Sequence, residues 1–136
     1  MSVRFDPRDP LIVVPGIVGG PTGSWGLTLA VDTGATQTII SPTVLVAAGY
    51  DPAAWGPAVW IVGATGGAHG REVTIRQLSA LNWRRDDVSV LAQQLPAGLR
   101  VDGLLGLDFF RDHILTIDFL HNEIDMSPGP SASATP

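Results

Sequence analysis

A chain of 136 residues with 45% hydrophobic and 15% charged side chains has the length and apolar content for one globular domain with a real core, which excludes a disordered or coiled-coil chain. All eight basic residues are Arg and the net charge is −5, so no dense basic stripe meets a phosphate backbone, and nucleic acid is not an expected partner. The absence of Cys excludes a disulfide framework and a thiolate nucleophile, and the absence of Lys excludes a Schiff base or a P-loop cation.

Sixteen Gly and eleven Pro interrupt the chain often enough to favour short strands joined by turns. Residues 1–10, MSVRFDPRDP, mix charge and proline and read as an exposed arm rather than a signal peptide. No apolar run reaches the ~20 residues that span a bilayer, so the expectation is a soluble, cytoplasmic protein with no membrane partner. Leu11 to Val18 reads as a strand. Trp25 to Asp32 alternates, with Trp25, Leu27, Leu29 and Val31 on a core face and Gly26, Thr28, Ala30 and Asp32 on the other. Small residues leading to a carboxylate leave space beside it, and Thr33-Gly34 then turns the chain.

Thr38 to Ile40 makes a short strand. Ser41-Pro42 starts a helix that runs to about Ala48 and stops at Gly49. Val59 to Val62 and Glu72 to Leu81 form a long hairpin around the glycine-rich segment 63–70, GATGGAHG, and Trp60 in it reads equally as a cleft wall or as a core residue. After a charged turn, Arg84 to Asp87, Val88 to Ala92 is another strand. Asp102-Gly103 introduces the run Leu104-Leu105-Gly106-Leu107, Asp108 to Asp112 forms one or two helical turns, and Ile114 to Phe119 with Glu123 to Met126 closes the chain as a hairpin turning at His121-Asn122. Residues 127–136, SPGPSASATP, read as a disordered tail, which leaves 11–126 as the folded domain.

Asp32-Thr33-Gly34 is a weak signal alone, but here it ends an apolar strand, continues into Ala35 and Ile39-Ile40, and is answered about seventy residues later by DGLLGLDFF from Asp102 to Phe110. In this order the three pieces resemble the retropepsin-like aspartic proteases, over roughly residues 25–126, and cellular and bacterial members more than viral ones. The resemblance implies an all-β, closed aspartic-protease barrel with a flap hairpin and one or two short helices. It implies Asp32 as the catalytic carboxylate, with Thr33, Gly34, Ala35, Leu104, Leu105 and Gly106 supporting its loop. Gly63, Ala64, Thr65, Gly66 and Gly67 would form the flap over a peptide or protein substrate.

Such an enzyme needs two adjacent carboxylates so that one acts as base and the other as acid on an attacking water. With one Asp-Thr-Gly and no second similar half in the chain, the pair requires a homodimer. The function expected is therefore an aspartic endopeptidase with an Asp32/Asp32′ dyad and no cofactor. Leu107 stands where viral members often carry Arg, which removes one ion-pair network from the expected dimer contact. The alternative is a non-catalytic peptide- or protein-binding module of the same fold. A serine hydrolase is excluded, since no Gly-x-Ser-x-Gly surrounds Ser24, Ser41, Ser79 or Ser89. His113, His121, Asp118, Glu123 and Asp125 straddle a hairpin without tight ligand spacing and are assigned to solvated turns, not to a metal.

Overall fold

The computed structural model describes residues 1–63 and 66–129. Ten strands and two short helices follow in chain order: β1 Val3–Arg4, β2 Val13–Gly20, β3 Gly23–Val31, β4 Ile39–Ile40, α1 Pro42–Ala47, β5 Ala58–Gly63, β6 Gly66–Ala80, β7 Trp83–Ala92, β8 Gly103–Leu105, α2 Leu107–Phe110, β9 His113–Asp118 and β10 Glu123–Pro128. Strands β2, β3, β8, β4, β7 and β6 are hydrogen-bonded in that order, and β6 returns to β2, which closes a six-stranded barrel. β5 extends from β6 as the outer strand of a hairpin, and β1, β10 and β9 form a separate three-stranded sheet.

Leu29, Ile40, Leu45, Ile75, Leu78, Leu105, Phe109 and Ile124 are fully buried in one cluster that fills the barrel and joins it to the smaller sheet. Each such side chain contributes about 1.5–3 kcal/mol by leaving water. A second cluster, Ile39, Leu91 and Leu95, with Val59, Val101 and Leu104 packed on it, lies on the other side of β4 and β8. β8 lies between β3, to which it runs parallel, and β4, to which it is antiparallel. It is thus hydrogen-bonded to two strands that adjoin it in space but precede it by some seventy residues.

The helix start at Ser41-Pro42 and its stop at Gly49 hold. Gly49 has φ +100°, and a Cβ there would meet the Thr22 backbone nitrogen at 2.9 Å. Several boundaries differ from the sequence expectation. The arm is partly built in: β1 pairs with β10, and Phe5 is buried with its N–H donated to Asn122. Trp25 is 46% exposed instead of lying in the core, because the β2–β3 hairpin carries Ser24, Trp25 and Gly26 beyond the barrel wall. Where β8 pairs with the end of β3 its second face is covered too, so Ala30 is buried as deeply as Leu29, while Thr28 on the same face is exposed.

The charged segment 84–87 is strand, not turn. The chain reverses at Leu81-Asn82, both with positive φ (54° and 61°), as a two-residue hairpin turn requires, and the charges then alternate outward along β7. At Arg76 the β6 N–H leaves the ladder beside Asp87, whose φ is +52°, and is donated to the Tyr50 hydroxyl at 2.8 Å. That hydroxyl is donated in turn to the Gly19 carbonyl at 2.7 Å, tying β2, β6 and the end of α1 together. α2 begins one residue earlier than expected and ends at Phe110. The last strand runs past Met126 through Ser127 and Pro128, with the Gly129 N–H donated to the Asp112 carbonyl.

Candidate active site

Asp32 follows the last residue of β3, at the mouth of the β3–β8 pair. Its N–H is donated to the Leu105 carbonyl at 3.0 Å, which extends the parallel ladder by one rung. Ala35 N–H is donated back to the Asp32 carbonyl at 3.1 Å, closing a turn over Thr33 and Gly34. Inside that turn Gly34 N–H is donated to Asp32 Oδ1 at 2.9 Å. A Cβ on Gly34 would come within 3.2 Å of the same oxygen, so glycine keeps room beside the carboxylate. Asp32 is half-buried while Thr33 and Gly34 are exposed at the apex.

The loop is clamped from below by the second motif. Leu107 N–H is donated to the Ala35 carbonyl at 2.8 Å. A Cβ on Gly106 would meet Gln37 C at 2.7 Å and the Gln37 and Ala35 carbonyl oxygens at 2.8 and 2.9 Å. Only glycine lets these two backbones approach so closely. Leu105 is fully buried, while Leu104, one residue away on the strand, points to the other side and packs on the second cluster. The two leucines therefore line different faces rather than one floor beneath the loop.

Thr38 is the one buried polar side chain of the core among the described residues. Its hydroxyl accepts the Gly106 N–H at 3.1 Å and is donated to Asp108 Oδ1 at 2.7 Å, while its N–H reaches both Asp108 oxygens at 3.0 Å. This link crosses seventy residues of sequence and fixes the loop after Asp32 to the start of α2. A similar link joins Thr28, whose N–H and hydroxyl are donated to Asp102 Oδ2 at 2.9 and 3.2 Å. At the other end of α2, the Arg85 guanidinium lies 5.3 Å above the Phe109 ring and donates to the Phe109 and Arg111 carbonyls. A cation there satisfies helix-end carbonyls that have no partner in the helix. Asp102 and Asp108 stood in the sequence as a turn residue and a helix residue, and Arg85 as a turn residue. Their long-range partners have no spacing signature that would have found them.

The hairpin of β5 and β6 is more strand than loop. It pairs up to Gly63 opposite Gly66, so of the expected flap residues only Ala64 and Thr65 lie outside the described residues. Trp60 is 57% exposed and stacks edge-on against its cross-strand partner His69, with centroids 4.8 Å apart. Its ring lies so close over Gly67 that a Cβ there would overlap it. Gly67 makes room for an indole, not for a positive φ, and Trp60 is not a core residue.

A groove of about 460 Å³ lies between β7 and α2, lined by Thr38, Arg84, Arg85, Asp86 and Asp108 among others, and Asp32 does not line it. His121 caps the β9–β10 turn with Asp118, Nδ1 to Oδ2 2.7 Å, whereas His113 stacks on Trp83 4.4 Å away in another part of the molecule. Among the described residues no three His, Asp or Glu side chains gather closely enough to hold a metal.

The strand-to-loop junction at Asp32, the parallel β8 and the glycine contact beneath it lie within residues 14–109, more than two thirds of the chain, which match the family model described as aspartyl protease. The chain belongs to the aspartyl protease family. No curated protein matches it. Among solved structures it is similar to a retropepsin-like aspartic protease from Rickettsia conorii, with a TM-score of 0.68 at 16% identity, covering 94% of this chain and 89% of that one. At that identity the likeness establishes the fold, and the fold is the retropepsin-like barrel expected from the three-part motif.

Proposed function

We propose that this aspartyl protease chain is one half of an aspartic endopeptidase, and that two copies place Asp32 and Asp32′ side by side across a two-fold axis. The observation that carries the reading is the position of Asp32. It is half-buried just below an exposed apex, held by backbone hydrogen bonds to Leu105 and, through Ala35, to Leu107, yet among the described residues no second carboxylate is hydrogen-bonded into the loop. A rigid support under a carboxylate left partly open to solvent suits a group whose partner comes from another subunit.

In the dimer one carboxylate is ionised and the other protonated, because two adjacent like charges resist forming together. The ionised group takes a proton from a bound water as its oxygen attacks the peptide carbonyl carbon. The protonated group hydrogen-bonds the carbonyl oxygen and gives it the proton as the tetrahedral diol forms. Collapse of the diol breaks the C–N bond, with a proton passing to the leaving amine and the dyad returning to its starting state. The β5–β6 hairpin, with Gly63, Ala64, Thr65, Gly66 and Gly67 at its tip, would fold over the peptide and exclude water.

Asp32→Asn tests the reading, since the amide is nearly isosteric but cannot take the proton. The expected result is loss of peptide hydrolysis with the dimer and the unfolding transition retained. Undiminished cleavage by the purified variant removes Asp32 from the mechanism. A folded wild-type protein that binds peptides without cutting them, as a strict monomer at micromolar concentration, would favour the binding-module alternative.

A further inference from the structure

Three carbonyls of one loop meet a single side chain. Arg71 Nε donates to the Gly56 carbonyl at 3.0 Å, Nη1 to the Pro52 carbonyl at 3.2 Å and Nη2 to the Trp55 carbonyl at 2.8 Å. The guanidinium carbon also lies 5.9 Å from the centroid of the Trp55 ring. The loop so held, 51–56, is a turn closed by its own bonds: the Asp51 carboxylate accepts the Ala53 N–H at 3.0 Å, and the Trp55 N–H is donated to the Pro52 carbonyl at 3.2 Å. Trp55 packs on the main core cluster, and the chain runs from Gly56 through Pro57 directly into β5, the outer strand of the hairpin.

Arg71 stands where β6 changes partners. It pairs with Ala58 of β5 on one side and with Ala92 of β7 on the other, whereas residues 66–70 before it pair with β5 alone. Beyond Arg71 the hairpin is a two-stranded ribbon, a form with little stability or fixed direction of its own. Both cross-strand neighbours at its root are alanines, whose small side chains do little to set the ribbon's angle. The root is closed instead by the Gly56 N–H, donated to the Glu72 carbonyl at 2.8 Å, and by the Arg71 fork. Further out, Val59 rests on the second apolar cluster, a non-directional contact that can part and re-form.

We propose that Arg71 is a positioning residue for hydrolysis: its guanidinium fixes the root of the lid, so that the ribbon swings as one body and closes over the peptide in one place. The inference rests on the reading of the β5–β6 hairpin as a lid and adds what aims it. A planar guanidinium with five donors reaches three acceptors at once, which the single ammonium of a lysine does not. Its acceptors are carbonyls, which do not titrate, so the clamp keeps its strength as pH falls. A lid loose at its root spends part of its time out of place, and apparent affinity for the peptide falls by the fraction of molecules still in the closing position. One hydrogen bond to a charged donor shifts such an equilibrium about tenfold or more. Arg71 is exposed, and water competes for each bond, so the expected total is near tenfold rather than the product of three.

Arg71→Ala and Arg71→Lys test the clamp, with steady-state hydrolysis of one peptide and native-state hydrogen exchange as the two readouts. Arg71→Ala should raise KM about tenfold and leave kcat within about twofold, because the chemistry is unchanged once the lid has closed. The same factor should appear in the Kd of that peptide when Arg71→Ala is placed on the Asp32→Asn background, where turnover plays no part. Arg71→Lys should recover only part of the loss. By hydrogen exchange, the amides of β5 and of residues 66–70 should exchange about tenfold faster in Arg71→Ala, while those of β2 and β3 keep their rates. An unchanged KM, a fall in kcat alone, wild-type behaviour of Arg71→Lys, or exchange that quickens evenly through the barrel overturns the assignment. If the wild type neither binds nor cleaves peptide, the endopeptidase reading falls and the role in hydrolysis falls with it, while hydrogen exchange still decides whether Arg71 holds the hairpin.

Discussion

Thr38→Val removes a single hydroxyl with little change of volume, and the structure gives the cost. The hydroxyl accepts the Gly106 N–H at 3.1 Å and is donated to the Asp108 carboxylate at 2.7 Å, and the residue is 1% exposed. A buried N–H left without an acceptor costs about 1–3 kcal/mol, and the lost bond to a charged carboxylate contributes about 1.5–3 kcal/mol. Asp108 is only half-buried and keeps the Thr38 N–H at 3.0 Å, so the second loss is partly offset by water. The expected destabilisation is about 2–4 kcal/mol. With a urea m-value of about 1–3 kcal/mol/M, the unfolding midpoint should fall by roughly 1–2 M at constant m. Thr38→Ser keeps the hydroxyl and should lose no more than about 1 kcal/mol, the cost of a methyl group. Peptide hydrolysis should fall in the valine variant well below the denaturant midpoint, because the same bonds hold the loop that carries Asp32. A loss under about 0.5 kcal/mol for Thr38→Val, or equal losses for valine and serine, would refute the assignment of this hydroxyl as the clamp.

Gly106→Ala drives a methyl group into the Gln37 and Ala35 backbone, so the loop must shift; thermal unfolding should show a loss of about 1–3 kcal/mol, together with loss of hydrolysis. Tyr50→Phe leaves the Arg76 N–H and Gly19 carbonyl without their shared partner and should cost about 1–2 kcal/mol by urea unfolding. Gly67→Ala pushes the Trp60 ring from its place on the hairpin and should lower peptide turnover with the unfolding midpoint unchanged. At the β9–β10 turn, hydrogen bonding to Asp118 raises the pKa of His121, and the same bond lowers that of Asp118. A raised histidine pKa stabilises the fold below its unfolded value of about 6.5 and ceases to as pH rises through the folded value, while the lowered aspartate pKa stabilises above about 4. The Tm difference between wild type and His121→Gln should therefore be greater near pH 5.5 than near pH 8.5, and a difference that grows toward pH 8.5 would contradict the pairing.

Local rules reached far along this chain because the signals were themselves local. The Ser41-Pro42 start and Gly49 stop of α1 are properties of a few consecutive residues, and the period-two pattern of Leu27 and Leu29 reports one strand facing one core. Such rules failed where a neighbour distant in sequence covers a surface. Ala30 looked like a lining residue and is buried under adjoining strands, whereas Trp25 looked like core and stands beyond the barrel wall. The charges of 84–87 suggested a turn, yet a strand with one solvated face carries alternating charges without difficulty, and the turn fell three residues earlier, on Leu81 and Asn82.

By itself the sequence determined the order of the pieces: a strand ending in Asp32-Thr33-Gly34, a glycine-tipped hairpin, and a Leu-Leu-Gly segment before a short helix, each readable from adjacent residues. Only the tertiary structure decided what those pieces touch. β8 inserts between β3 and β4, Thr38 meets Asp108, Thr28 meets Asp102, and Arg85 caps α2, each contact bridging about twenty-five to seventy-five positions of chain. Hydrogen bonds of that kind depend on where closed backbone ladders bring distant residues together, and no spacing along the chain encodes it. The same reason separates Leu104 from Leu105, adjacent in sequence but sent by the strand's alternation into two different clusters on opposite sides of β8.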